Sequence, residues 1–172
     1  MQEFAHSIKR DIDAFAAGAE QADDITMLAL KYYGGGRGKE LKIEARPENL
    51  DAVLDFVDAE LGEMACSSKI LNQINVAVEE IFVNIARYAY NPETGIATVR
   101  VAVSGNEIRL EFEDAGKPYN PLQKADPDIT ARIEDRPIGG LGVFLVKKII
   151  DSVEYRYYEG SKNLLTLKKI IQ

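Results

Sequence analysis

Residues 97–114 read ATVRVAVSGNEIRLEFED, two runs of alternating apolar and polar residues about Ser104-Gly105-Asn106. Period-two alternation marks strands with one buried face, and a break of this composition is hairpin chemistry. In the second run Ile108, Leu110 and Phe112 share a face, and parity puts Asp114 on that same, core-facing side. A ribbon that is apolar on one face only has to be covered by other elements. That requirement organises the rest of the chain.

The covering elements are helices. Residues 74–90, INVAVEEIFVNIARYAY, carry Ile74, Val78, Ile81, Ile85 and Ala89 on one apolar stripe at helical spacing. Glu80, Asn84, Arg87 and Asn91 fall on a polar stripe beside it, and Glu79 points away from both. Ser67 or Ser68 caps the start of this helix. Upstream, Leu41 and Ile43 alternate with Lys42 and Glu44 in a strand over residues 40–45. Pro47 then opens an amphipathic helix through Leu50, Val53, Leu54, Val57 and Leu61, which ends at Gly62. Downstream, residues 115–138 form a long polar loop with four prolines, of a length that is usually functional. Residues 141–150 form a short apolar helix, and the sequence from Val153 reads as a second hairpin about residues 159–163. The order β-α-α-β-β-loop-α-β-β predicts a two-layer α/β sandwich, a mixed sheet covered by helices on one face.

Ahead of this lie an amphipathic helix over residues 1–17, with Phe4, Ile8, Ile12 and Phe15, and a strand over residues 25–33. Gly34-Gly35-Gly36-Arg37-Gly38 is a flexible connector, so the main domain starts at Lys39. A formal charge of −7 argues against sequence-independent binding to nucleic-acid backbones. No apolar run approaches the roughly 20 residues needed to span a bilayer. One cysteine, Cys66, and one histidine, His6, leave neither a disulfide framework nor a His/Cys metal cluster. These features fit a cytoplasmic protein.

Three separated features have a use with a nucleotide. Asp114 is either a turn aspartate before glycine or a buried acceptor for an exocyclic amine such as that of adenine. Gly116 would let the backbone approach a flat base. Gly139, Gly140 and Gly142 are either a flexible turn or bare N–H groups at a helix start that hold phosphate oxygens. Glu80, Asn84 and Arg87 are either a solvated helix face or a ligand set. In the second case Asn84 joins a Mg²⁺ shell, Arg87 neutralises phosphate charge, and Glu80 orients or deprotonates a hydroxyl nucleophile.

In that order EEIFVNIARYAY resembles the N box, EDAGKPYNP the G1 box and PIGGLGVFLVKKIIDSVEY the G2 box of the GHKL ATPases, which share the Bergerat ATP-binding fold. The wording after the Pro-rich lid resembles the anti-sigma-factor serine kinase branch, over about residues 39–172. The resemblance implies ATP and Mg²⁺ as cofactors, with Glu80 as catalytic base, Asn84 as metal ligand, Asp114 and Gly116 on adenine, and Gly140 and Gly142 in the phosphate loop. It also matches Thr166 to a last-strand threonine near the adenine. An ATP-dependent serine kinase of a partner-switching system is implied, phosphorylating an anti-anti-sigma (STAS) protein and sequestering a sigma factor, as a homodimer. Two positions depart from the branch: Pro118 stands where many members have glycine, and Tyr88 where histidine is frequent. These leave open an ATP-binding regulatory module without efficient transfer. A histidine kinase catalytic domain is a further alternative, although His6 is followed by Ser7 rather than an acid. Residues 1–33, with GAEQADDITMLALKYY, resemble the end of PPM-type serine phosphatases, where Asp23 would match a metal ligand. Most of that fold is absent, so no phosphatase activity is expected.

Overall fold

The chain passes twice from strand through helix to hairpin, and both hairpins join one sheet. A computed structural model describes residues 38–62, 66–123, 141–158 and 162–171. The expectations for residues 1–37, for the loop beyond residue 123, for Gly139 and Gly140, and for the tip of the second hairpin lie outside the described residues. Strand β1 (Lys39–Glu44) leads through a single 3₁₀ turn at Pro47–Asn49 into helix α1 (Leu50–Leu61). Helix α2 (Ser68–Asn84) follows, with the Ser67 side chain accepting a hydrogen bond from the Ile70 N–H at its start. Strands β2 (Ile96–Ser104) and β3 (Glu107–Asp114) form the first hairpin. Its two-residue turn needs a positive φ, which Gly105 supplies at +59°. Helix α3 (Leu141–Ile149) then leads to β4 (Ser152–Tyr158) and β5 (Lys162–Ile170).

The sheet order is β1-β2-β3-β5-β4, and every neighbouring pair is antiparallel. The expected mixed sheet is therefore corrected to an antiparallel one. Two helices separate β1 from β2, so the chain returns reversed. One helix separates β3 from β4, which run the same way, but β5 comes back between them and removes the parallel contact.

One face of the sheet carries Val99, Val101, Ile108, Leu110, Phe112 and Leu167, all essentially buried. Helices cover it with Val53, Val57 and Leu61 from α1 and with Ile74, Val78 and Phe82 from α2. Burying each such side chain stabilises the fold by about 1.5–3 kcal/mol. The stripe read from the sequence is buried as far as Ile81, Ile85 packs against the core half-buried, and Ala77 and Phe82 widen the stripe.

The other face is a ladder of charge. Arg100 Nε lies 2.5 Å from Glu40 Oε2, and its Nη1 lies 3.0 Å from Glu113 Oε2. Lys162 closes on the other oxygen of Glu113. Burial alone would push the Glu113 carboxyl up, but hydrogen bonds from Lys162 and Arg100 outweigh it and hold the group below the usual range. A carboxyl depressed in the folded state contributes stability that is present above its unfolded value of 4.5 and lost as pH falls through the folded value. Urea midpoints measured from pH 6 down to about pH 3 should therefore fall, and should fall less steeply in Glu113→Gln. Equal slopes for the two proteins would refute this role.

Candidate functional site

A cavity of about 710 Å³ opens between the sheet, α2 and α3, a volume suited to a small organic ligand. Phe112 and Leu165 from the sheet and Ile81 and Ile85 from the helical side give it apolar walls. Polar groups enter it in two sets, one on strands and one on helices.

The strand set is Asp114 and Asn163, direct partners across β3 and β5 and both buried. Parity in β3 places Asp114 on the same face as Ile108, Leu110 and Phe112, as the sequence predicts. Its Oδ1 accepts from the Gly116 N–H at 2.9 Å and from Asn163 Nδ2 at 2.8 Å. No hydrogen bond among the described residues reaches Oδ2. Burial pushes the Asp114 carboxyl above its ordinary value, against the lowering effect of those two donors. A buried oxygen beside a cavity, with its partner oxygen already engaged, is an acceptor waiting for a donor.

The helical set is Glu80 and Asn84, one turn apart on α2 and both lining the cavity. No side-chain hydrogen bond among the described residues engages either of them. Gly142, near the start of α3, sits directly on the Glu80 carboxylate: a Cβ there would fall 1.7 Å from Glu80 Oε2. Only glycine lets the backbone of that turn come so close to the acid.

After Asn84 the helix widens into a π turn, Ile85–Ala89. Closing i→i+5 shifts the phase of everything that follows. Tyr88 now lines the cavity, while Arg87 is exposed and lies outside the lining. Arg87, expected to neutralise phosphate charge, is thereby placed outside the cavity lining. The Ala89 carbonyl accepts from the Lys117 N–H at 2.8 Å, and the Tyr90 hydroxyl accepts from the Ala115 N–H at 2.8 Å. Gly116 does not line the cavity; a Cβ on it would lie 2.4 Å from the Ala89 oxygen, so it lets the loop rest against the π turn.

Thr166 is also corrected. It pairs with Glu111 and Glu154, on the charged face of the sheet, because it follows the core-facing Leu165 by one residue. The cavity-facing polar residue of β5 is Asn163, which sequence reading missed. Its even spacing, two residues from Leu165 and four from Leu167, was the available signal.

A purine nucleotide with Mg²⁺ fits these groups. Asp114 Oδ2 suits an exocyclic amine, and Gly142 leaves room beside Glu80. Among the described residues no cluster of three metal-ligating side chains occurs. Asn84 offers a single neutral oxygen, the kind of ligand set that suits a cation taking its other ligands from phosphate and water.

Residues 43–169 match a family model described as the histidine kinase-like ATPase domain. The chain is 27% identical over 133 residues to the anti-sigma F factor of Thermoanaerobacter sp. (strain X514), covering 77% of this chain and 92% of that protein. It is 24% identical over 131 residues to the serine-protein kinase RsbW of Bacillus thuringiensis (strain Al Hakam), covering 74% and 82%. The crystal structure of the RsbU and RsbW domains of Rv1364c from Mycobacterium tuberculosis superposes with a TM-score of 0.54 at 16% identity, over 77% of this chain and 32% of that one. At that identity the likeness shows the fold alone.

Proposed function

Because this chain belongs to the histidine kinase-like ATPase domain family, we propose that it is an ATP- and Mg²⁺-dependent serine protein kinase and anti-sigma factor. It phosphorylates a serine of an anti-anti-sigma (STAS) protein and sequesters a sigma factor. The observation that carries this reading is one cavity holding a half-engaged buried carboxylate, Asp114, together with Glu80 and Asn84, whose side chains make no hydrogen bond among the described residues. The relatives named anti-sigma F factor and serine-protein kinase RsbW support it.

Mg·ATP supplies the transferable phosphoryl group and a counter-charge when bound. The chain's own residues do the rest. Asp114 Oδ2 accepts the base amine, and Phe112 and Leu165 flank it with apolar surface that excludes water. Asn84 would hold the metal through its amide oxygen. Glu80 would orient the serine hydroxyl and take its proton as the serine oxygen bonds to the γ-phosphorus and the bond from that phosphorus to ADP breaks, the role a general base plays in phosphoryl transfer. The protein acts in the cytoplasm as a homodimer; among the described residues no helix is long and apolar enough to cross a membrane. The kinase domain spans residues 39–172, a span the family match over 43–169 supports, after a connector at 34–38 and a phosphatase-like stub at 1–33 that rest on sequence resemblance.

The test is incubation of the full chain with Mg·ATP and the STAS proteins encoded near it, reading phosphoserine. Labelled STAS protein is the expected result. ATP binding without label on any partner would replace the kinase by an ATP-sensing regulatory module.

A further inference from the structure

Asn163 has no counterpart among the residues that motif reading singles out, yet it is the most completely bonded side chain at the cavity. Its Oδ1 accepts from the Tyr155 hydroxyl at 2.6 Å and from the Tyr119 N–H at 3.2 Å. Its Nδ2 donates to Asp114 Oδ1 at 2.8 Å and to the carbonyls of Lys117 at 3.2 Å and Gly116 at 3.4 Å. A backbone N–H can only donate and a carboxylate can only accept, so these partners fix which way the amide faces. Both ends of Asn163 are thus consumed within the protein. It has nothing left to offer a ligand directly.

What it controls is Asp114. A carboxylate has two equivalent oxygens and rotates freely unless one is claimed. Asn163 and the Gly116 N–H both claim Oδ1, which leaves Oδ2 as the oxygen without a partner among the described residues. The same amide ties the loop at 116–119 to β5 through the Gly116 and Lys117 carbonyls and the Tyr119 N–H. We propose that Asn163 is a positioning residue which sets the nucleobase selectivity of the cavity by holding Asp114 with Oδ2 presented to a 6-amino purine. The proposal rests on the reading of the cavity as an ATP site, and it adds the residue that makes the site discriminate.

A ligand pair that differs only in the 6-amino group isolates this effect. ATP and purine riboside 5′-triphosphate, which lacks that amine, are titrated by calorimetry into the full chain and into Asn163→Ala. The wild type should prefer ATP by roughly 10- to 100-fold, the range of a hydrogen bond to a charged group. In Asn163→Ala the preference should shrink to within about threefold, while affinity for the amine-free nucleotide stays nearly unchanged. A merely structural role would weaken both nucleotides equally, and that result overturns the proposal, as does a preference kept in full. If Asn163→Ala does not fold by circular dichroism, Tyr155→Phe decides, because it removes the 2.6 Å bond that holds the amide while leaving Asn163 in place. Its preference should fall severalfold, and an unchanged preference overturns the proposal. Failure of the wild type to bind either nucleotide overturns the ATP reading and this proposal together. Binding with unaltered selectivity in the variants overturns this proposal alone.

Discussion

Glu80→Ala is expected to lower phosphoryl transfer to the STAS partner by about 10²- to 10⁴-fold, the contribution of a positioned general base. ATP affinity should stay within about threefold of wild type, since a group that acts on the nucleophile adds little to ground-state binding. The structure gives reasons for both halves. Glu80 lines the cavity but makes no hydrogen bond among the described residues, so its loss breaks nothing that shapes the base pocket. It lies against Gly142, where the chain has given up a side chain to leave the carboxylate its place. Single-turnover phosphorylation and calorimetric ATP binding, run on the same preparations, separate the two quantities. Unchanged transfer would remove Glu80 from the reaction, and a parallel loss of binding would make it a nucleotide ligand instead.

Phe82→Ala should be the most damaging single change to stability, at about 3–5 kcal/mol. Phe82 is among the largest fully buried side chains, and it sits in α2 between two cavity-lining positions, Ile81 and Asn84, with Val83 intervening. Removing the ring leaves a void under the helix that carries Glu80. Against a total of about 5–15 kcal/mol this is a large fraction, and a melting temperature lower by roughly 10 °C or more is expected. Calorimetric melting checks it. Saturating ATP should recover part of the loss, because ligand binds only the folded form. A shift of only a few degrees would mean that α2 can collapse onto the void.

Much of this architecture was readable in the residues because each signal was local. The alternation in β3 located the core face and, by parity, the orientation of Asp114; the stripe from Ile74 to Ile81 located the buried side of α2. Parity also governs Thr166, but there the sequence Leu164-Leu165-Thr166-Leu167 blurs the alternation. β5 is an inner strand with buried or half-buried residues on both faces, so neither face reads as polar. Resemblance then outweighed periodicity and pointed to Thr166 in place of Asn163. Arg87 lies outside the cavity lining for another reason. The sequence Ile-Ala-Arg-Tyr-Ala carries no sign that its turn is widened, and the shift in phase arises where Ala89 and Tyr90 take up the N–H groups of the loop after β3. Both hairpins were legible, but the antiparallel pairing of β1 with β2 and of β3 with β5 was out of reach, since it depends on how the separate hairpins and β1 assemble and not on any pattern within a strand.

The insertion of β5 between β3 and β4 has a consequence for how the molecule comes into being. The last strand in chain order is an inner strand, and it brings both Asn163 and Leu165 to the cavity. While the chain is being synthesised, β1, α1, α2, β2 and β3 can assemble before β5 exists. During that interval β3 presents an unpaired edge, with Asp114 lacking its cross-strand partner. The cavity proposed to hold the nucleotide is therefore complete only once β5 has joined the sheet. A nascent chain stalled before residue 163 would hold α2, Glu80 and Asn84 without the strand that completes the pocket, and its exposed edge would be open to pairing with another chain.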